Sequence, residues 1–395
     1  MKCNKMIFGI LAVLLGISSC KKYDDNSFEE ILDPINSIVG SFWMNSGNAF
    51  TELDLNDNQQ NNAFTTLDSF RCSEFEGTFI CMQGEHSGTK TLMRKGTFNG
   101  ELLWPKEYVS DTEKYFLLNT TEIQQNTVFI SYKIINSTSF NSTYHLEALN
   151  LDTGSVKWSI ELVDNVQRIT SLEDQIIAEL SIVSSTTELL SIHIDDGHID
   201  HRIPCTDRIG NLIGGSSSIF VMTWNNRIIS MDHQLNFNWT FDTDSPNILG
   251  GFERGNQFLF YSRDETVYSI DTNTGSLLWK HAYFDDYPLA INTLNNKVYV
   301  SNRKAGESNI QIKTLDLFSG EELDAYTYAT NQELNASATK YFFFDQHLLL
   351  FNIAPDDNKA TIALINISDK IVVWEKELDQ VAYPHLIITP TGYYL

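Results

Sequence analysis

The densest group of reactive side chains in the sequence lies between His193 and His201, a segment that holds three histidines and three aspartates. Alternation along a strand would bring some of them to one face, and imidazole with carboxylate is a donor set that suits zinc. Asp195-Asp196-Gly197 is also an ordinary turn sequence, and a zinc site needs several preorganised ligands with hydrogen-bonded supports. We therefore predict a hairpin turn here and no metal site.

A second segment, Asp271 to Gly275, begins like a calcium-binding loop. Such a loop has glycine at its sixth position and glutamate at its twelfth, whereas this segment has glycine one position early and Ala282 at the twelfth. A turn is therefore predicted. The sequence also lacks the Gly-x-Ser-x-Gly, His-Glu-x-x-His and phosphate-binding glycine motifs. No catalytic residue and no cofactor are predicted.

The elements that carry these segments repeat along the chain. A short apolar strand, a polar turn and a second strand with tryptophan recur clearly at residues 149–158, 269–279 and 364–374, with weaker copies elsewhere. A period in the forties with four short strands per period is typical of propeller blades. The recurring anchor positions are Trp43, Trp104, Trp158, His201, Trp239, Trp279, Asp324 and Trp374.

The repeats predict an all-β chain that forms a β-propeller over residues 31–395. We expect eight four-stranded blades; seven is the alternative if the loose first copy, ending at Trp43, is only a tail. The segments 385–389 and 392–395 would supply two strands of one blade, and the copy ending at Trp43 would supply the outer two. Pairing the terminal strands in one blade would close the ring and remove free sheet edges.

The Thr-Gly-x-x-x-Trp segments resemble the repeat of the pyrroloquinoline-quinone-type (PQQ-like) β-propellers. The resemblance covers most of residues 30–395 and is most specific at 149–158 and 269–279. In that family the glycine and tryptophan of the outer strands dock neighbouring blades, so the resemblance implies a structural role for the tryptophans. The predicted docking residues are Trp43, Trp104, Trp158, Trp239, Trp279 and Trp374.

The family includes quinone-dependent dehydrogenases and also cofactor-free members, among them the lipoprotein scaffold of outer-membrane protein assembly. The enzymes are longer, bind calcium beside the quinone and carry two adjacent cysteines, a pair that this chain lacks. The resemblance therefore favours a non-catalytic, monomeric protein-binding scaffold. The alternatives are a glycan-binding surface lipoprotein and a quinone-dependent oxidoreductase.

The N-terminal residues have the pattern of an export signal. Two lysines precede a ten-residue apolar run, 6–15, which is too short to span a bilayer but has the length of a signal-peptide core. The segment 16–20 resembles the lipoprotein box, which predicts cleavage after residue 19 and acylation of Cys20. We expect 1–19 to be the signal, 20–30 a flexible tether and the location to be the outer membrane, on its periplasmic face or at the cell surface.

The net charge and the cysteines give further information about the partner and the compartment of the protein. The formal net charge is −24, which repels phosphate backbones and argues against a nucleic-acid partner. A turn at Glu76-Gly77 would place Cys72 opposite Cys81 on antiparallel strands, where either a disulfide or two reduced thiols fit the exported setting. An envelope protein or a glycan is left as the expected partner.

The loops indicate where that partner would bind. The turns inside the tryptophan hairpins are short and uniform, whereas the loops between second and third strands range from the tight 224–227 to the long 134–143. These variable loops share one face with the blade-to-blade connections, and binding sites are commonly built on variable loops. Exposed aromatic and arginine side chains dominate binding energies. The candidate binding residues are Trp224, Arg227, Tyr287, Arg303 and Lys304.

Overall fold

The computed structural model describes most of the chain from residue 41 onward. The described ranges are 41–46, 49–54, 60–65, 71–75, 78–84, 90–97, 102–109, 113–182, 186–244, 248–263, 266–282, 288–303, 309–329, 340–344, 346–353, 359–379 and 385–389. The predicted signal, Cys20 and the tether lie outside these ranges, as do Tyr287 and Lys304. Within them, no helix has the length and apolar character needed to cross a membrane.

The described residues form 32 β-strands. In the first half of the chain they are β1 Ser41–Ser46, β2 Ala49–Asp54, β3 Gln60–Thr65, β4 Arg71–Phe75, β5 Thr78–Gly84, β6 Lys90–Thr97, β7 Leu102–Val109, β8 Glu113–Gln124, β9 Thr127–Asn136, β10 Ser142–Asn150, β11 Val156–Leu162, β12 Asn165–Leu172, β13 Gln175–Ile182, β14 Thr186–His193 and β15 Ile199–Cys205. In the second half they are β16 Ile209–Gly214, β17 Ile219–Thr223, β18 Arg227–Met231, β19 Phe237–Asp242, β20 Ile248–Arg254, β21 Gln257–Ser262, β22 Thr266–Asp271, β23 Leu277–Ala282, β24 Pro288–Leu294, β25 Lys297–Arg303, β26 Asn309–Asp316, β27 Glu322–Ala329, β28 Lys340–Phe344, β29 His347–Ile353, β30 Lys359–Asn366, β31 Ile371–Asp379 and β32 His385–Thr389.

These strands make eight antiparallel sheets of four strands each. Seven of the sheets consist of four consecutive strands in chain order, from β4–β7 to β28–β31. Short turns favour this arrangement, because a tight turn can join only neighbouring antiparallel strands. The first strand of one sheet contacts the first strand of the next, as β8 does with β12 and β12 with β16. The all-β fold with repeated four-stranded sheets is thus confirmed, while the number of blades in the complete ring stays a prediction.

The remaining sheet joins the two ends of the described chain. Its strand order is β3-β2-β1-β32, and Met44 of β1 lies opposite Leu386 of β32. The predicted pairing of N- and C-terminal strands in one sheet is therefore confirmed. The predicted division of that sheet is wrong, because three of its strands come from the N-terminal side and one from the C-terminal side.

This division also corrects the placement of Trp43. The residue lies on β1, which is hydrogen-bonded on one side to β2 and on the other to β32. The outer position in this sheet belongs to β3, so Trp43 is not on an outer docking strand. The spacing of the repeat suggested otherwise, but after β1 the chain makes two further strands before the next sheet begins at β4.

Apolar side chains fill the spaces between successive sheets. Between β8–β11 and β12–β15 the buried cluster includes Phe129, Trp158 and Ile176, and alternation on β11 buries Trp158 while its neighbours are exposed. The next sheets pack in the same way, and the rings of Phe220 and Phe258 stack with centroids 4.1 Å apart. The core is therefore distributed as a series of layers between sheets.

Four of the six described turns between third and fourth strands share one hydrogen-bonded design. In the turn after β22, the carboxylate Oδ1 of Asp271 accepts hydrogen bonds from the backbone N–H groups of Asn273 and Thr274, at 3.0 and 2.8 Å. Asp316 makes the same two bonds, and the bond from the Ser319 N–H lowers the pKa of its carboxyl group. The predicted turns at Asp271 and after His193 are confirmed. An aspartate that caps a turn in this way favours a tight, uniform hairpin.

Candidate binding surface

The alternation of strand direction divides the loops between two faces. Turns that join second to third strands lie on one face together with the connections between sheets, and we call this the loop face. Turns that join first to second and third to fourth strands lie on the opposite face, which we call the hairpin face. In the sheet β16–β19, the loop face comprises the turn 224–226 and the connections 206–208 and 243–244.

Trp224 is the most prominent aromatic side chain on this part of the loop face. It is 51% exposed although it is large and apolar. The guanidinium of Arg208 lies over its ring, 4.9 Å from the centroid, and its indole N–H donates to the carbonyl of Ile209 at 3.2 Å. Its backbone N–H donates to the carbonyl of Arg208 at 2.8 Å. These contacts hold the exposed ring in one position before any partner arrives.

Arg227 begins the strand after this turn and is held by two carboxylates. Its Nε donates to Oδ1 of Asp242 at 2.7 Å, and its Nη1 lies 3.6 Å from Oδ2 of Asp207. The hydrogen bond to Asp242 raises the pKa of Arg227, so its positive charge is secure. Asp207 also accepts a hydrogen bond from the side-chain amide of Asn225, at 2.8 Å. The network ties the turn to the connection that precedes the sheet.

An ion pair between an arginine and a glutamate lies in the preceding sheet, β12–β15. Arg168 on β12 donates to Glu179 on β13 at 2.6 Å, and Glu179 is buried. Burial raises the pKa of Glu179, although Arg168 and, more weakly, Arg208 lower it. Burying a carboxylate is costly without a partner, and the hydrogen bond from Arg168 offsets part of that cost.

The turn at Trp224 and its neighbours offer three groups for recognition. They are the exposed indole of Trp224, the guanidinium of Arg208 stacked on it, and Arg227, which Asp207 and Asp242 hold in place. Tryptophan and arginine supply much of the binding energy at protein interfaces because they bury large areas and make several hydrogen bonds. An exposed ring also suits stacking on a sugar. We name this group, Asp207, Arg208, Trp224, Asn225 and Arg227, the Trp224 surface.

Sequence reasoning located part of this surface. Trp224 and Arg227 were expected on the loop face and lie together there. Arg303 ends β25, also at the loop face, but in the sheet two further along, and its side chain lies outside the described atoms. Arg208 was missed, although its position in the short connection between β15 and β16 places it on the same face as Trp224.

The docking tryptophans lie at the opposite, hairpin face. The indole N–H of Trp104 donates to the carbonyl of Leu151 in the next sheet at 2.9 Å, and its ring covers Gly154. A Cβ atom on Gly154 would come within 2.5 Å of that ring, and the glycine has a positive φ of 67°. Trp374 is also buried. The described pairs of this kind are Trp104 with Gly154, Trp158 with Gly197, Trp239 with Gly275 and Trp279 with Gly320.

At two of the described sheet interfaces, both the tryptophan and the glycine are replaced. His201 stands at the tryptophan position opposite Leu235, and Asp324 stands there opposite Lys370. Leu235 and Lys370 have φ values of 61° and 58°, so the turn conformation is kept without glycine. Lys370 forms an ion pair with Asp324, and its hydrogen bond lowers the pKa of that carboxyl group. At these six described turn positions, glycine is therefore found where an indole covers the turn, and another residue is found where none does.

The structure describes the backbone at Cys72 and Cys81, and it also bears on Cys205 and on possible metal ligands. Cys72 and Cys81 are direct cross-strand partners on β4 and β5, as expected, but their side chains lie outside the described atoms and the disulfide stays a prediction. Cys205 is buried and reduced, and burial raises the pKa of its thiol. In the described part of the chain, no three His, Cys, Asp or Glu side chains are grouped so as to hold a metal ion.

Comparison with known proteins adds evidence on the fold. No protein-family model matches the sequence, and no curated protein matches it. Among solved structures, the computationally designed Ika8 protein is 13% identical with a TM-score of 0.58, and the alignment covers 80% of this chain and 95% of Ika8. BamB from Moraxella catarrhalis is 13% identical with a TM-score of 0.52, covering 82% of this chain and 93% of BamB.

A third solved structure is similar over a comparable length. The dihydro-heme d1 dehydrogenase NirN, in complex with DHE, is 9% identical with a TM-score of 0.62, covering 88% of this chain and 75% of NirN. At such low identities these similarities establish architecture and carry no residue-level function. The chain is a β-propeller of four-stranded sheets, similar in fold to BamB and to the designed Ika8 protein.

Proposed function

We propose that this chain is a non-catalytic PQQ-like β-propeller lipoprotein that acts as a protein-binding scaffold in the bacterial envelope. The sequence supports the anchor, through the signal pattern and Cys20, and the resemblance supports a cofactor-free member of the family. The fold similarity to BamB is compatible with this function. The membrane would be contacted through the N-terminal lipid alone.

The observation that carries the proposal is the fixed, exposed ring of Trp224. Arg208 covers the ring and the carbonyl of Ile209 accepts its N–H, so the side chain loses little further freedom when a partner binds. Arg227 lies on the same turn and is oriented by Asp242. A rigid aromatic beside an oriented arginine is the arrangement expected at the centre of a protein interface.

A glycan is the second candidate partner, and the same ring favours it. An indole that is half exposed and held from one side by Arg208 can offer its remaining area to the apolar face of a sugar. The two candidates differ in their dependence on Arg227, because a protein interface would use its charge and a stacked sugar would depend mainly on the ring.

The test is affinity capture from envelope extracts with the full lipid-modified chain, followed by purification of the captured protein and direct binding to it. Changing Trp224→Ala should weaken that direct binding about tenfold or more, and Arg227→Ala should weaken it measurably. Phe237→Ala is the matched control, since Phe237 is an exposed aromatic on an outer strand.

Three results separate the candidates. Weakened protein binding in both loop-face variants, with Phe237→Ala unchanged, supports the scaffold. Binding on a glycan array that is lost in Trp224→Ala and kept in Arg227→Ala supports the glycan. Equal binding by all variants to every captured partner would contradict a role for the Trp224 surface.

A further inference from the structure

The guanidinium of Arg208 differs from those of neighbouring arginines in having no carboxylate bound to it. Arg168 donates to Glu179 at 2.6 Å, and Nη1 of Arg202 lies 3.4 Å from Oε2 of Glu188. In the part of the chain that the structure describes, no oxygen accepts a hydrogen bond from the side chain of Arg208. The N–H donors of this exposed arginine are therefore open to solvent and to a ligand.

Arg227, the other arginine of the Trp224 surface, already has acceptors. Its Nε donates to Asp242 at 2.7 Å, and its Nη1 lies 3.6 Å from Asp207. Asp207 is further engaged by the side-chain amide of Asn225 at 2.8 Å. A carboxylate brought to this surface by another molecule would therefore find its open donors at Arg208.

Glu179 is a buried carboxylate that Arg208 influences without binding it. Glu179 is 2% exposed and accepts its hydrogen bond from Arg168. The charge of Arg208 lowers the pKa of Glu179 less than Arg168 does. The hydrogen-bonding capacity of Arg208 is therefore not used by this internal acid.

The indole of Trp224 holds the guanidinium of Arg208 and leaves part of its own surface open. Its N–H donates to the carbonyl of Ile209 at 3.2 Å, and a Cβ added to Gly210 would lie 3.6 Å from Cδ1 and Nε1. The edge of the five-membered ring thus faces the backbone, and the exposed half of Trp224 lies mainly on the six-membered ring. A guanidinium held beside an open aromatic surface loses little freedom when a ligand binds.

A carboxylate with an apolar neighbour matches these two groups. A carboxylate accepts two parallel hydrogen bonds from a guanidinium fork, and such charge-assisted bonds are strong. The open ring suits an apolar side chain, which gains by leaving water. In an extended peptide, side chains two residues apart point to the same side and lie about 7 Å from each other. One short segment can therefore reach both Arg208 and Trp224.

The net charge of −24 does not prevent an acidic ligand from binding here. Charges more than about 10 Å away are largely screened at physiological ionic strength. The acids closest to the site, Asp207 and Asp242, are both engaged by Arg227. The unpaired guanidinium of Arg208 therefore dominates the interaction with an incoming carboxylate.

We propose that the Trp224 surface binds an acidic side chain of its partner protein, an aspartate or glutamate whose carboxylate accepts a forked pair of hydrogen bonds from Arg208. An apolar side chain two residues along the same extended segment covers the open part of the indole. This inference rests on the function proposed above, since it takes a protein as the occupant of the surface and adds the chemistry by which that protein is recognised.

The first experiment compares two tripeptides, blocked at both ends, that differ only in charge: aspartate-alanine-phenylalanine and asparagine-alanine-phenylalanine. Each is titrated into the mature protein at neutral pH, and the indole N–H resonance of Trp224 is followed by NMR, with that of the buried Trp239 as an internal reference. We expect the aspartate peptide to bind about tenfold more tightly, because its hydrogen bonds are made by a charged group. Equal affinities, or no saturable shift with either peptide, would overturn the proposal.

The second experiment repeats both titrations with Arg208→Met, which removes the donors and keeps an apolar side chain over the indole. The preference for the aspartate peptide should disappear, whereas the affinity for the asparagine peptide should be kept. Arg202→Met is the matched control, since Arg202 is an arginine on β15 that lies beside Glu188, and it should leave the preference unchanged. An Arg208→Met variant that binds both peptides equally weakly would show that Arg208 only positions the ring, and a preserved preference would also refute the acidic contact.

The captured partner and a sugar probe separate this inference from the proposed function. Binding of a captured protein that falls about tenfold in both Trp224→Ala and Arg208→Met supports the acidic contact. Binding that requires Trp224 and is unchanged in Arg208→Met supports the scaffold and overturns the acidic contact. Loss of every protein partner contradicts the scaffold, while the peptide comparison tests the acidic contact by itself. Tighter binding of glucuronic acid than of glucose, without a preference between the peptides, would assign the carboxylate to a glycan and reject the protein acid.

Discussion

At the scale of single residues, the pairing of tryptophan with glycine is the most informative feature of this chain. The ring of Trp239 lies so close to Gly275 that an added Cβ would come within 2.6 Å of it. The glycine also has a positive φ of 70°, a conformation that strains other residues. The close ring and the positive φ are therefore two independent reasons for glycine at this position. At Lys370 only the positive φ applies, and there a residue other than glycine is present.

The pairing predicts a large effect from a single methyl group. Gly275→Ala should lower the free energy of unfolding by about 2–4 kcal/mol, because it adds both overpacking and backbone strain. Chemical denaturation measures this change. Lys370→Ala is the matched control: it keeps a non-glycine residue at the same turn position and loses only an exposed ion pair, worth about 1 kcal/mol or less. Equal effects of the two changes would contradict the proposed role of the indole.

Much of this residue-scale design could be predicted from the sequence. The spacing from Gly275 to Trp279 is visible in the printed chain, and so is the absence of tryptophan at His201. The contact between Arg208 and Trp224 could not be predicted, since it joins two loops through the packing of adjacent strands.

At the scale of strands, polar side chains also connect neighbouring sheets. The hydroxyl of Tyr108 on β7 donates to Oε1 of Glu147 on β10 at 2.6 Å, and both residues are buried. Burial raises the pKa of Tyr108, and the nearby Glu147 raises it further, so the tyrosine remains a donor. The Nζ of Lys106 lies 3.7 Å from the same carboxylate and adds a positive charge beside it. The bond therefore joins two sheets through a buried carboxylate.

Removal of that donor should be costly. Tyr108→Phe leaves Glu147 with a weaker set of partners, and we expect the free energy of unfolding to fall by about 1–3 kcal/mol. Tyr132→Phe is the comparison, since the Tyr132 hydroxyl lies 3.4 Å from the other carboxylate oxygen and its loss should cost less. Thermal denaturation of both variants checks the order, and a larger loss in Tyr132→Phe would show that the short bond is not the important one.

The positions of the strands could be predicted from the sequence wherever the repeat was clear. The predicted hairpins around Trp224 and between Cys72 and Cys81 have the expected partners, because alternating apolar residues and short turns determine their register. The sheet that contains Trp43 was misassigned. No Thr-Gly-x-x-x-Trp segment occurs around Trp43. The spacing of the repeat alone could therefore not show which strand is the outer strand of this sheet.

At the scale of the whole molecule, closure depends on β32. This strand covers the inner edge of β1, with five residues of each strand in register. Without it, the backbone groups along that edge would be exposed, and unpaired edges invite association with other chains. The C-terminal strand is therefore expected to stabilise the sheet formed by β1, β2 and β3.

Deletion tests this expectation. Removal of residues 385–395 should lower the melting temperature by about 5 °C or more and promote aggregation, since a paired inner strand is lost. Removal of residues 390–395 alone is the control, because these residues follow β32 and the strand pairing with β1 is kept. Differential scanning calorimetry and light scattering follow the two effects, and equal behaviour of both truncations would contradict a closing role for β32.

The pairing of β1 with β32 also sets the order of assembly. Partners such as Met44 and Leu386 are about 340 residues apart in the chain, so their contact has the greatest entropic cost of loop closure in the described fold. Synthesis proceeds from the N-terminus, and β1 must therefore wait for nearly the entire polypeptide before its missing neighbour emerges. During that interval the unpaired edge of β1 is open to association with other chains, and we expect its pairing with β32 to be a late step of folding.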